Sequence, residues 1–439
     1  MVKSSGKRNG VTKVVVGNET DQKKVQPLCH NSGFFFALRN LPRGVFAVSL
    51  FGLFLGLSTT MVYSQLSLFL KNELGASASD VSTLDGIVEF LSFLVRIFSG
   101  PISDFLRERK MILYVGCFMT LMARSLLSLA GSWWMILFVQ SSERLGNGIQ
   151  ATPRDALIAD LSPNEFRGRA FGFSRSLKTV GSFLGTIIAI HIMLFTSGNY
   201  RIVFGCAVIP VIISIFCLSN VKTPREVSGL QQKKEKHENP FKKKYLKSLD
   251  KVFWKIILLA LVCEMGHFSE HLFPIYANEF LSTNVSGSVS MFVSIGQVML
   301  CFPIGILADR YGKGKLIAVC MVLMILANVS FISARFVSAL PIANVYLGAF
   351  LWGGQMTASQ GLYLSLICER VDFHLRATAV GIYSLMLGIA YLTSSFICGS
   401  IWDKFGSSYA FLYSMLFSAF ALSLLRILLP QKQECPRVV

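Results

Sequence analysis

Apolar residues in this chain arrive in long runs, and the polar ones are gathered between them. From Val45 to Leu70 there is no charged side chain. A helix needs about 20 apolar residues to cross a hydrocarbon core, and runs of that length recur along the whole chain, which predicts about twelve transmembrane helices. Only a helix satisfies its own backbone hydrogen bonds within such a run, so the expected fold class is an all-α membrane protein. The span centres fall near Leu57, Leu91, Leu121, Gly146, Ser182, Ile209, Met265, Val298, Leu326, Thr357, Gly388 and Leu416. Half of them precede and half follow Lys222–Lys251, a stretch containing KKEKHENPFKKK that cannot insert and reads as a linker. The expected layout is a basic tail (1–43), a six-helix bundle (44–221), a basic linker (222–251), a second six-helix bundle (252–430) and a short tail (431–439).

Composition agrees with the pattern. Of 439 residues, 53% are apolar and 15% charged, against about 25% charged in soluble domains. The net charge of +18 would suit a nucleic-acid binder, but its placement argues otherwise. The cations sit in the tail (Lys3, Lys7, Arg8, Lys13, Lys23, Lys24), in the linker, and in alternate short loops such as Arg107–Lys110 and Arg310–Lys315. That asymmetry marks the cytoplasmic side and puts both termini there, with the tail and linker close to anionic lipid headgroups. No nucleic-acid partner is expected. The first 43 residues lack a long apolar segment and a small-residue cleavage site, so they read as a disordered cytoplasmic tail. The ten cysteines are scattered singly, without a Cys-x-x-Cys pair, which predicts neither a disulfide framework nor a zinc site. No phosphate-binding loop and no nucleophile elbow is present, so an enzyme is not expected.

The two halves echo each other. Gly100-Pro-Ile-Ser-Asp104 ends span 2, and Gly305-Ile-Leu-Ala-Asp309 ends span 8. Arg167-Gly-Arg-Ala-Phe-Gly172 opens span 5, and Arg376-Ala-Thr-Ala-Val-Gly381 opens span 11. Parallel halves of this kind form one large class of transporters. The residues 305–313, Gly-Ile-Leu-Ala-Asp-Arg-Tyr-Gly-Lys, match the signature loop Gly-x-x-x-Asp-Arg-x-Gly-Arg/Lys of the major facilitator superfamily, and the chain resembles that family over 44–430. The first copy keeps Gly100 and Asp104 but loses the Arg and the turn Gly. Glu143–Asp160 followed by Arg167–Phe173 resembles a bacterial branch of the family, with Ser174 and Lys178 where relatives carry His and Asp. The resemblance implies two pseudo-symmetric six-helix bundles and a monomer in the bacterial inner membrane. It also implies alternating access to a small-molecule site, driven by an ion gradient with H⁺ as the coupling ion and no other cofactor. Gly100, Asp104, Arg154, Asp155, Gly305, Asp309, Arg310, Gly312 and Lys313 would then act in gating.

Ionisable residues inside spans are functional candidates because burying a charge in lipid is costly. Asp85 and Glu89 lie four apart on one face of span 2. Glu264-Met-Gly-His267-Phe-Ser-Glu270-His271 in span 7 adds two acids and two histidines, and a continuous helix would put 264, 267 and 271 on one face. Asp85, Glu89, Glu264, His267 and Glu270 are the proton-coupling candidates, since carboxylates and imidazoles exchange protons. Arg144, Arg175, Lys178 and His271 are the substrate-binding candidates, because an arginine stays charged and holds anions bidentately. Glu143 points about 100° away from Arg144 around the helix. The spacing of Glu264, His267 and His271 also permits a divalent metal, so a metal or metal-chelate carrier is one alternative to drug, metabolite or nutrient transport. A non-transporting sensor on the same scaffold is another.

Overall fold

The computed structural model describes residues 42–106, 109–162, 167–221, 250–336, 340–371 and 376–428, and both tails and most of the linker fall outside them. Helices account for nearly all of it, with no strand among the described residues. In chain order they are α1 (Arg43–Leu74), α2 (Ala78–Leu106), α3 (Arg109–Leu127), α4 (Trp133–Leu161), α5 (Arg167–Phe195), α6 (Tyr200–Cys206), α7 (Val208–Ser219) and α8 (Lys251–Glu264). There follow α9 (Leu272–Ala277), α10 (Thr283–Ser286), α11 (Val289–Tyr311), α12 (Lys313–Phe336), α13 (Pro341–Arg370), α14 (Arg376–Phe405) and α15 (Ser407–Leu428).

Among the described residues, 8 helical segments are long and apolar enough to cross a membrane: α1, α3, α5, α6 with α7, α10 with α11, α12, α14 and α15. The remaining long columns, α2, α4, α8 with α9, and α13, carry acids, arginines and amides within them, and these supply most of the site described below. Local chemistry sets the ends. Ser77 and Asp80 form a reciprocal capping box at the start of α2, each accepting from the other's backbone N–H at 3.0 Å. Ser132 and Asn199 cap α4 and α6.

Two columns are interrupted, and proline accounts for part of each. Pro210 cannot donate to the carbonyl of Cys206 and crowds it, so α6 and α7 meet at a kink. The hydroxyl of Ser58 donates to the Ala207 carbonyl there at 2.7 Å. Likewise Pro274 cannot donate to the Glu270 carbonyl, and Met265–His271 is unwound between α8 and α9. The span centre expected at Met265 is therefore a break in the helix.

Packing is most extensive between α1 and α5, α11 and α13, and α2 and α14. A Cβ on Gly181 or Gly185 would come within 2.1 Å or 2.3 Å of an α1 carbonyl oxygen, so only glycine permits the α1–α5 approach. The apolar core is divided unevenly. Toward the ends remote from the basic loops, one continuous core draws on both halves of the chain, from Leu66, Phe69, Leu84 and Phe204 to Phe273, Phe331, Trp402 and Phe411. Toward the basic loops there are two separate cores. One, with Val48, Phe51, Leu113, Leu157 and Leu218, lies in the first half; the other, with Phe253, Ile257, Ile317, Ile367 and Leu425, lies in the second.

On the shared face the end of α14 caps the start of α2. The Asp403 carboxylate accepts from Ala78 N at 3.0 Å and Ser79 N at 2.8 Å, a charge placed at a helix N-terminus. Asp403→Ala is expected to loosen this face by about 1 kcal/mol, roughly fivefold in the population ratio. The effect is read as faster alkylation of a cysteine placed at Leu84, now 1% exposed.

Candidate functional site

Where the shared core ends, side chains from both halves converge on Asp85, which is 1% exposed. The Tyr63 hydroxyl of α1 donates to Oδ1 at 3.0 Å. Ser269 of the unwound stretch donates to Oδ2 at 2.8 Å, and Tyr391 of α14 donates to the same oxygen at 2.9 Å. His271 Nε2 stands 3.6 Å from Oδ1, with its ring 3.9 Å from that of Tyr63, centroid to centroid. Hydrogen bonds to an ionised acceptor are about twice as strong as neutral ones. A single carboxylate thus ties α1 and α2 to α14 and the break before α9.

Glu89, one turn along α2, is 3.4 Å from Arg144 of α4. The Arg144 guanidinium also lies 4.8 Å from the centre of the Tyr63 ring, a cation–π contact. Glu270 lies within electrostatic reach of Asp85, Glu89 and Arg144. A narrow cavity beside them is lined by Tyr63, Leu66, Leu84, Asp85, Val88, Gln140, Arg144 and His271. Two of those side chains keep an unpartnered buried atom, Gln140 Nε2 and His271 Nδ1. Buried polar atoms normally find partners, so such atoms mark places where a solute or water can bind.

The unwound stretch separates residues that a continuous helix would have aligned. Glu264, His267 and His271 do not share a face, because α8 stops at Glu264. His267 turns into the second half, between Glu264 Oε2 (3.2 Å) and the Gln355 amide (2.8 Å), whereas His271 turns toward Asp85. No group of three or more His, Cys, Asp or Glu able to hold a metal is found among the described residues. Of the expected substrate-binding residues, Arg144 and His271 line the cavity while Arg175 and Lys178 do not. Arg175 is exposed, and Lys178 lies along α1 beside Gly56.

Near the basic loops, Gly312 ends α11 with φ 92°, and its N–H donates to the Ala308 carbonyl at 3.0 Å. Arg310 lies against the Tyr311 ring, Lys313 pairs with Glu369 and Ser365 of α13, and Arg154 pairs with Asp155 at 3.4 Å. Gly305 lies within α11, and Gly100 and Asp104 lie within the last two turns of α2. The side chains of Asp104 and Asp309 fall outside the described set.

Several residues of the site escape sequence reasoning. Tyr63, Tyr391, Ser269, Gln140 and Gln355 are residue types that occur throughout apolar helices. Arg124 did carry a signal, being a lone arginine in an apolar run. It forms a deeply buried ion pair with Glu143, which faces away from Arg144.

Comparison with known proteins supplies the family. The model of the major facilitator superfamily matches residues 48–392. A protein of Methanocaldococcus jannaschii described as an uncharacterised MFS-type transporter is 25% identical over 383 residues, covering 85% of this chain and 92% of that one. Among solved structures, a peptide transporter in complex with sulfate superposes with a TM-score of 0.71 at 13% identity, covering 90% of this chain and 95% of that one. A D-xylose–proton symporter superposes with a TM-score of 0.66 at 15% identity, covering 89% of this chain and 97% of that one. At such identities the structures speak for the fold alone. With the family model matched over most of its length and apolar helices throughout, the chain belongs to the major facilitator superfamily and is a multi-pass membrane solute transporter.

Proposed function

We propose that the chain is a proton-coupled secondary transporter working by alternating access, with twelve spans in two six-helix bundles and a solute site between them. The observation that carries this reading is the division of the core. One face is sealed by apolar packing common to both halves, while toward the basic loops each half packs only on itself. This is the arrangement of a carrier closed on one side and able to part on the other. By the positive-inside rule the separable side is cytoplasmic, along with both termini. The pathway lies within one chain, so a monomer suffices.

Asp85 is the coupling group in this reading. As a carboxylate it accepts from Tyr63, Ser269 and Tyr391 and holds the outer face shut. Protonation weakens those charge-assisted bonds and releases α14 and the unwound stretch from α1 and α2. Arg144 stands between Glu89 and the cavity, placed to exchange its carboxylate partner for a polar or anionic group of the solute. Gln140 and His271 supply further contacts through their unpartnered atoms.

A disulfide tests the alternation. A Cβ on Gly399 would lie 3.0 Å from that of Ser82 and 2.8 Å from the Ser79 Cα, so a disulfide there forms once α14 backs away slightly from α2. In the Ser82→Cys/Gly399→Cys variant, oxidation is expected to abolish the metabolite differences between cells with and without the transporter, and reductant to restore them. Unchanged differences in the fully oxidised variant would sink the alternating-access reading.

A further inference from the structure

We propose that Glu264, His267 and Gln355 form a second proton-holding centre, enclosed within the second half of the chain and separate from the Asp85 cluster. It goes beyond the reading above, in which Asp85 couples the proton at the boundary between the halves.

Glu264 is 3% exposed and His267 is 1% exposed. Among the described residues the Glu264 carboxylate has a single hydrogen-bond partner, His267 Nδ1 at 3.2 Å, and its Oε1 has none. No lysine or arginine is paired with it there. The other ring nitrogen, Nε2, faces the amide nitrogen of Gln355 at 2.8 Å and must accept from it. With the Gln355 amide in this orientation the ring proton sits on Nδ1, the imidazole is neutral, and the group carries one uncompensated negative charge. Such a charge deep in an apolar setting is unfavourable, and one added proton removes it.

The same three side chains accommodate that proton. If it binds Nε2, the ring becomes an imidazolium held by the Glu264 carboxylate and now requires an acceptor on its far side. Gln355 Oε1 is buried and unpartnered. Half a turn of the amide brings that oxygen to Nε2–H, so the site complements both protonation states. Only one N–H bond forms in the step, and the proton is the whole cargo.

Around Glu264 are Cys263 of its own helix, Tyr383 of α14 and, beyond Cys263, Tyr363 of α13 and Cys320 of α12. Met324 of α12 touches the Gln355 amide, and the Trp352 ring stands edge-on to His267. Glu270, near the far end of the unwound stretch, is a second acid within electrostatic reach of His267 besides Glu264. Ser394 of α14 donates to the Met265 carbonyl at 2.7 Å and pins the stretch between the two centres. One break in one helix thus separates a proton site at the boundary from a proton site within the second half.

Infrared difference spectra of the purified full-length protein, with isotope-labelled histidine and a pH jump, test this without any knowledge of the solute. A histidine ring band that appears on acidification is expected to vanish in His267→Gln. It should remain in Asp85→Asn, and its midpoint should shift about one pH unit, tenfold in proton affinity, in Gln355→Leu. A carboxyl band lost only in Asp85→Asn reports the boundary site, so either reading can fail while the other stands. Variants are compared only where gel filtration and helical content match the parent, and Gln355→Leu carries the test if His267→Gln misfolds. The proposal is overturned if no labelled band responds to pH, if the band survives in His267→Gln, or if Asp85→Asn removes it together with the carboxyl band.

Discussion

In Asp85→Asn, proton-driven accumulation of the transported solute is expected to fall by roughly 100-fold or more, while exchange of solute across the membrane without a gradient persists. Three hydroxyls donate to this carboxylate, from α1, the unwound stretch and α14. A hydrogen bond to a charged group contributes about 1.5–3 kcal/mol. Asn keeps the shape but has one oxygen in place of two and no charge to gain or lose. Two weakened bonds, about 3 kcal/mol together, already shift the balance between closed and open outer faces by roughly 100-fold. More importantly, the balance no longer responds to protons. Proteoliposomes loaded with the solute, with and without an imposed pH gradient, separate the two effects. Accumulation at the parent level in Asp85→Asn would mean that the coupling proton binds elsewhere.

The second large effect concerns stability. Arg124 of α3 and Glu143 of α4 form an ion pair in which the arginine is 1% and the glutamate 3% exposed. Removing one partner leaves an uncompensated buried charge, so Arg124→Ala and Glu143→Ala are each expected to lose roughly 3–5 kcal/mol. Arg124→Met/Glu143→Leu together should recover most of that loss, because the pair's attraction is largely offset by desolvation of both ions. Thermal unfolding in detergent checks the ranking. A double variant as unstable as the single ones would show that the pair contributes more than its own charge balance.

How far the chain could be read in advance depends on what each residue competes with. Asp85, Glu89 and Arg144 stood out because an ionisable side chain within an apolar run is costly and needs a reason. The same rule applied evenly would have found Arg124. It could not have found Tyr63 or Tyr391, since a tyrosine in an apolar helix needs no special explanation. Their roles arise from contacts made only in the fold, Tyr63 reaching Asp85 from the preceding helix and Tyr391 reaching it across 306 residues of sequence. Span 7 shows the opposite error. The spacing of Glu264, His267 and His271 suggested one face and a metal, but spacing carries meaning only in a continuous helix. Gly266 and Pro274 were the warning, and the break directs the two histidines to different neighbours. Asp403 was missed because a charge at the end of an apolar run reads as loop chemistry; only the fold brings it to the first turn of α2.

The uneven division of the core also bears on how such a chain can change over generations. The two cores near the basic loops are each confined to one half, so a substitution there can be balanced by a neighbour in the same half. On the sealed face, a change in α2 at Leu84 falls in a core to which the other half also contributes side chains. Its compensation must arise on a distant stretch of the same gene. The sealed face should therefore drift slowly and in matched pairs, and the inner ends of the two halves should diverge from each other freely.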